Sequence, residues 1–137
     1  IAEAYTLSFD KAHNLQRVRM ISKDISADAY GTEGKAKYST LKEGLISKYG
    51  QPTNGLEKVG MKLWKEADEF YQCLAYDGCG LWVALFKDAE SGHRISLALK
   101  GLSRGKGYID LTYEGPRWSD VVDALKNKEA ESDANAL

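Results

Sequence analysis

Histidine is scarce in this chain, with only His13 and His93 among 137 residues. Nucleophilic catalysis of the Ser or Cys type needs a base that titrates near neutral pH. Both histidines stand in turn-like surroundings, Lys-Ala-His-Asn and Ser-Gly-His-Arg, where a solvated side chain is expected. Cysteine is equally rare. Cys73 and Cys79 are separated by five residues, which is not the two-to-four-residue knuckle of structural zinc, and adding His93 still leaves a fourth ligand missing. The sequence therefore gives no set for nucleophilic catalysis, no metal site and no cofactor. Net charge is lacking too, since 19 Lys and Arg against 20 Asp and Glu leave −1. Without a global positive field, nucleic acid is not an expected partner. No apolar run approaches the roughly 18 residues of a transmembrane helix, so no transmembrane segment is expected.

The two cysteines carry the most information. They lie in Phe70-Tyr-Gln-Cys73-Leu-Ala-Tyr76-Asp77-Gly-Cys79-Gly-Leu-Trp82-Val-Ala-Leu-Phe86, on either side of a turn between two strand-like runs. A Cys73–Cys79 disulfide is the expected outcome, and it implies an oxidising compartment. The first residue, Ile1, fits a mature chain whose leader has gone or a cut through a longer one. An extracytoplasmic protein, periplasmic or anchored facing the periplasm, is the expected location.

The period of the apolar residues sets the fold class. Residues 4–9 alternate, with Tyr5, Leu7 and Phe9 on one face, and 15–21 resume after turn chemistry at 10–14, giving an opening hairpin. Over residues 33–49 the period changes: Tyr38, Leu41, Leu45, Ile46 and Tyr49 form one face of an amphipathic helix. Gly50 ends it and Pro52 prevents its resumption. Gly44 inside this helix is read as a point of close approach to the sheet. Extended runs follow at 61–65, 69–76, 81–87, 94–99 and 108–113, with connections too short for helical crossovers, so antiparallel neighbours are expected. From Pro116 a last helix carries Trp118, Val121, Val122 and Leu125, and residues 129–137 read as a frayed tail. The expected architecture is one α+β domain over residues 1–128. It has an antiparallel sheet of six or seven strands, one long covering helix and a short C-terminal helix.

Two resemblances bear on this chain. The run from Tyr38 through Leu41 and Leu45 to Lys48-Tyr49-Gly50-Gln51-Pro52, followed by a Trp-containing strand and a glycine-rich hairpin ending Leu111-Thr112-Tyr113, resembles small exported bacterial domains with a helix leaving through Lys-Tyr-Gly-x-Pro. That likeness implies bacterial export. The cysteine loop before Val83-Ala84-Leu85-Phe86 is similar in design to that of periplasmic inhibitors of vertebrate-type lysozyme, whose disulfide-closed loop enters the enzyme's cleft. Here five residues lie between the cysteines where that family has four, and Tyr76 precedes Asp77 where that family has His.

The functional candidates follow from these patterns. Tyr76 and Asp77 sit in the closed loop, offering a rigid ring and a charge held ready for a protein partner. Trp82 is either an exposed platform beside that loop or a residue covered by the helices. Lys100-Gly-Leu-Ser-Arg104-Gly105-Lys106-Gly107 is not a phosphate loop, because three residues separate its first two glycines and a strand follows. It reads as a hairpin turn whose Arg104 and Lys106 attract an acidic partner. Asp68, Glu69, Asp77, Asp88 and Glu90, near strand ends, leave open a small hydrolase with acid–base carboxylates, and a subunit of a larger envelope assembly is a further alternative. The favoured expectation is a non-catalytic binding protein of the bacterial envelope, an inhibitor, immunity or accessory protein.

Overall fold

The computed structural model of the protein describes residues 2–10, 14–117, 120, 122, 123, 126 and 127, with side chains from residue 16 onward. In chain order the elements are β1 (Ala2–Asp10), β2 (Asn14–Ser22), α1 (Thr32–Tyr49), β3 (Asn54–Lys58), a 3-10 turn (Ala67–Glu69), α2 (Phe70–Ala75), β4 (Leu81–Lys87), β5 (Arg94–Ser103) and β6 (Lys106–Glu114). The fold is α+β, with one antiparallel sheet ordered β1-β2-β6-β5-β4-β3. Strands β3 to β6 form a meander, and the β1–β2 hairpin joins it through β2, where Val18 faces Tyr113 and Met20 faces Leu111. Of the expected C-terminal helix, Asp120, Val122, Asp123, Lys126 and Asn127 are helical, whereas Trp118, Val121 and Leu125 and the tail at 129–137 lie outside the described residues.

Alternation decides which residues face the helices. Ala84 and Phe86 of β4, Ile95, Leu97 and Leu99 of β5 and Ile109 of β6 share one face and form the core with Tyr38 and Leu45 of α1 and Phe70 and Tyr71 of α2. Each such apolar side chain contributes about 1.5–3 kcal/mol on burial. The intervening residues meet on the other face in a polar network. Arg19 donates from Nε and Nη2 to Asp110 Oδ2 (3.0 and 2.8 Å), and Thr112 Oγ1 donates to Asp110 Oδ1 (3.0 Å).

Helix α1 begins with a cap that local sequence does not advertise. Gly31, at φ 74°, has no side chain to offer, and Asp28 caps the helix instead. Its Oδ1 accepts from the Glu33 N–H at 3.1 Å and its Oδ2 from the Gly34 N–H at 2.9 Å. Tyr71 Oη donates to the same Oδ2 at 2.7 Å, which ties α1 to α2. At the other end the Gly50 N–H returns to the Ile46 carbonyl with φ 85°, as expected of a glycine stop.

Three expectations need correction. Residues 61–65 are a loop, and residues 69–76 are the end of the 3-10 turn followed by α2. The reason is period: Phe70, Tyr71 and Cys73 are buried with Leu74 packed beside them, a helical spacing, and Glu66 with Glu69 forms a reciprocal capping box. The helical layer therefore includes α2 besides the single long helix expected to cover the sheet. A strand forms instead at Asn54–Lys58, every residue of it exposed, on the sheet edge beside β4. A Cβ placed on Gly44 would meet nothing within 4 Å, so Gly44 is not the close-approach glycine. That role belongs to Gly34 and Gly101. A Cβ on Gly34 would lie 2.1 Å from Tyr71 Oη, and one on Gly101 only 2.0 Å from the Tyr71 carbonyl oxygen.

Candidate functional site

Helix α2 ends at Ala75, and the chain then folds back in a turn in which the Cys79 N–H donates to the Tyr76 carbonyl at 3.0 Å. Gly78 occupies φ 82°, a conformation that other residues adopt at a cost. The Cys73–Cys79 disulfide closes this turn with a Cα separation of 5.1 Å, inside the range a disulfide permits. Both cysteines are fully buried. Cys73 thus lies on a helix rather than on the strand its neighbours suggest, and the bond joins the last turn of α2 to the chain entering β4.

The disulfide braces a second segment. Met61 N–H donates to the Cys79 carbonyl at 2.8 Å, and Gly60 N–H points at Cys73 Sγ at 3.1 Å. Lys62 lies against Gly78, its Nζ 2.9 Å from where a Cβ would stand. The loop at 60–65 and the turn at 76–79 therefore form one stiffened tip. Its side chains face water: Met61 is 38 % exposed, Leu63 37 %, Trp64 37 % and Tyr76 48 %. Asp77, Lys58, Lys62 and Lys65 are exposed there too, and among the described residues these three lysines form no ion pair. Trp64 has φ 53°. A bulky side chain in the left-handed region stores strain of about 1–3 kcal/mol, and such strain persists only where surrounding contacts enforce it.

The expected binding residues divide. Tyr76 and Asp77 are together on the tip. Trp82 is on the helix-covered face, partly buried, with ring centroids 5.3 Å from Phe70 and 6.5 Å from Tyr38 in edge-to-face contact and Lys35 Nζ 5.3 Å over its ring. The aromatic residue standing beside the turn in its place is Trp64. Arg104 and Lys106 flank the β5–β6 turn, where Arg104 pairs with Asp68 at 2.7 Å and Lys106 with Asp24 at 3.5 Å. Their charge is shared with these neighbours. The sequence hides the 60–65 loop because Met-Lys-Leu-Trp-Lys alternates like a half-buried strand. Its one signal is Gly60 flanked by Lys58, Lys62 and Lys65, with no acidic residue between positions 58 and 65.

The carboxylates considered for acid–base work have local duties. Asp68 holds Arg104, and Glu69 Oε1 accepts from the Glu66 N–H at 3.1 Å. Asp88 accepts from Ser91 Oγ and the Glu90 N–H, and the first of these, with the second, holds its pKa below the usual carboxylate value. Asp77 and Glu90 face water, and no two of the five meet in a hydrogen bond or ion pair. A groove of about 270 Å³ lined by Arg17, Ser96, Lys100, Asp110, Thr112 and Glu114 lies on the polar sheet face, with Asp110 already engaged by Arg19 and Thr112.

Two further carboxylates are perturbed, and both serve the scaffold. Burial pushes Asp28 up, but hydrogen bonds from Tyr71 and the backbone of Gly34, Glu33 and Thr32 outweigh it, leaving its pKa lowered. Glu57 behaves likewise, with partial desolvation opposed by Lys42 Nζ at 2.6 Å and Tyr38 Oη at 2.8 Å. Burial and these carboxylates raise the pKa of both tyrosines, so both hydroxyls stay protonated as donors. Against known protein families, characterised proteins and solved structures, the chain finds no match.

Proposed function

We propose that the protein is a non-catalytic binding protein of the bacterial envelope, an inhibitor, immunity or accessory protein that acts on a protein partner through the disulfide-closed turn carrying Tyr76 and Asp77. The observation that carries this reading is the Cys73–Cys79 bond that closes the turn exposing Tyr76 and Asp77. A surface stiffened before binding loses little conformational entropy on association. Large aromatic side chains with few rotatable bonds are the residues that most often dominate binding energy.

The disulfide also supports an extracytoplasmic location, since such bonds persist in oxidising compartments. The resemblance to exported bacterial domains agrees with that location. Similarity to the lysozyme-inhibitor loop is one of design, a disulfide-held loop offered to a partner. The local duties of Asp68, Glu69 and Asp88 favour binding over hydrolysis.

The test compares capture from an envelope extract by wild-type protein and by a Tyr76→Ala, Asp77→Ala variant with an unchanged melting temperature. The captured protein is then titrated against both. Weakening of roughly tenfold or more is expected, each 1.4 kcal/mol being one factor of ten. Equal affinity would remove the turn from the contact surface.

A further inference from the structure

We infer that the loop at 60–65, with Lys58 beside it, is a docking element for an anionic phospholipid surface, a contact separate from the protein partner proposed for Tyr76 and Asp77. Three features of the loop favour lipid as its occupant. Its charge is supplied by Lys58, Lys62 and Lys65 without any Arg, and all three residues are exposed and free of ion pairs among the described residues. Lysine is depleted at protein–protein contacts, whereas lysine at the rim of an apolar patch is suited to anionic headgroups, its stem lying along apolar surface and its charge reaching phosphate.

The apolar side chains are interleaved with those charges. Met61, Leu63 and Trp64 alternate with Lys62 and Lys65 at the exposed end of the loop, so the apolar tips can enter the headgroup region while the ammonium groups stay at the phosphates. Indole is at home there, its body apolar and its N–H able to reach a polar partner. Acidic residues that follow or oppose the loop are engaged elsewhere: Glu66 and Glu69 cap the 3-10 turn, Asp68 holds Arg104, and Glu57 is held by Lys42 and Tyr38. Only Asp77 is an exposed acid on the tip without such a duty. The third feature is rigidity. Met61 and Gly60 are bonded to the disulfide segment, so the loop meets the surface already shaped. Since the chain as a whole carries −1, attraction to an anionic bilayer must come from this local cluster.

Sedimentation with vesicles of equal phosphatidylglycerol and phosphatidylcholine, against vesicles of phosphatidylcholine alone, tests the inference. The disulfide-bonded wild type is expected to bind the anionic vesicles, and to lose most of that binding when salt is raised from about 0.01 M to about 1 M. Lys62→Ala with Lys65→Ala should weaken partition about thirtyfold, or about fivefold per lysine. Trp64→Gly, which suits the backbone conformation at that position and so tests side chain rather than fold, should weaken it further. Lys87→Ala with Arg94→Ala, removing two exposed cations at the far end of β4, should leave partition unchanged. Equal partition to both vesicle types, or an unaltered partition in the Lys62, Lys65 or Trp64 variants, would overturn the assignment. The Tyr76→Ala, Asp77→Ala variant should keep its vesicle binding, so the lipid and protein readings fail in separate experiments.

Discussion

Helix α1 contains two glycines whose replacement by alanine should move stability in opposite directions. In an exposed helix interior, Gly to Ala is worth up to about 1 kcal/mol in favour of Ala. At Gly44 nothing stands within 4 Å of the added methyl, so Gly44→Ala should realise that gain. At Gly34 the methyl would stand 2.1 Å from Tyr71 Oη and 3.2 Å from Leu99 Cδ1. The Tyr71 hydroxyl cannot yield freely, because it donates to Asp28 Oδ2 at 2.7 Å inside a buried cluster. Displacing it removes a hydrogen bond to a charged group worth about 1.5–3 kcal/mol. Set against the helix-propensity gain of about 1 kcal/mol, Gly34→Ala should lose about 0.5–2 kcal/mol. The two variants should thus differ by roughly 1.5–3 kcal/mol. For a chain of this length, that is on the order of 6–12 °C in melting temperature, at about 4 °C per kcal/mol. Urea unfolding with intact disulfide gives the free energies directly. Equal stability of the two variants, or a more stable Gly34→Ala, would refute the packing of α1 against α2 through Tyr71.

Other consequences can be measured in the same way. Leu45, 7 % exposed in the core, should cost about 2–5 kcal/mol on change to Ala; a loss below about 0.5 kcal/mol would mean that α1 presents another face. Because the folded-state pKa of Asp28 is lowered, its contribution to stability is present above the ordinary carboxylate value near 3.9 and is lost as pH falls through the folded value. Asp28→Asn should therefore reduce stability at neutral pH and flatten its decline in acid, and an unchanged acid limb would contradict the assignment. Reducing the Cys73–Cys79 bond, which closes a ring of seven residues, should cost at most about 2–2.5 kcal/mol on chain entropy. It should also speed amide exchange at Met61 and Cys79, and unchanged exchange there would show that the bond does not brace the tip.

Where the sequence is legible, one residue type serves one period. The alternation of Ile95, Leu97 and Leu99 and the helical spacing of Tyr38, Leu41 and Leu45 place those residues on the helix-to-sheet core. The disulfide is legible from two lone cysteines in reach of each other. Legibility fails where aromatic and β-branched composition disagrees with period. Phe70-Tyr71-Gln72-Cys73 looks like strand by propensity, yet the capping box at Glu66 and Glu69 starts a helical turn and Gly101 and Gly107 leave room for α2 on the sheet. Trp82 cannot be placed on a face without knowing that α2 covers it. The exposed loop at 60–65 is hidden for a converse reason. Its alternation imitates a half-buried strand, while its neighbour Asn54–Lys58, poor in apolar residues, pairs with β4 through its backbone. Long-range partners such as Asp28 with Tyr71, 43 residues apart, leave no local mark at all.

The most direct test of the tip as contact surface is site-specific photo-crosslinking in intact envelope. A photoreactive amino acid replaces Tyr76 in one protein and Glu90, in the β4–β5 turn, in another. The seven residues of β4 separate these ends of the sheet, about 20 Å at some 3.3 Å per residue. A discrete protein adduct from position 76 and none from position 90 is the predicted result; adducts from position 90 alone, or equally from both, would contradict it.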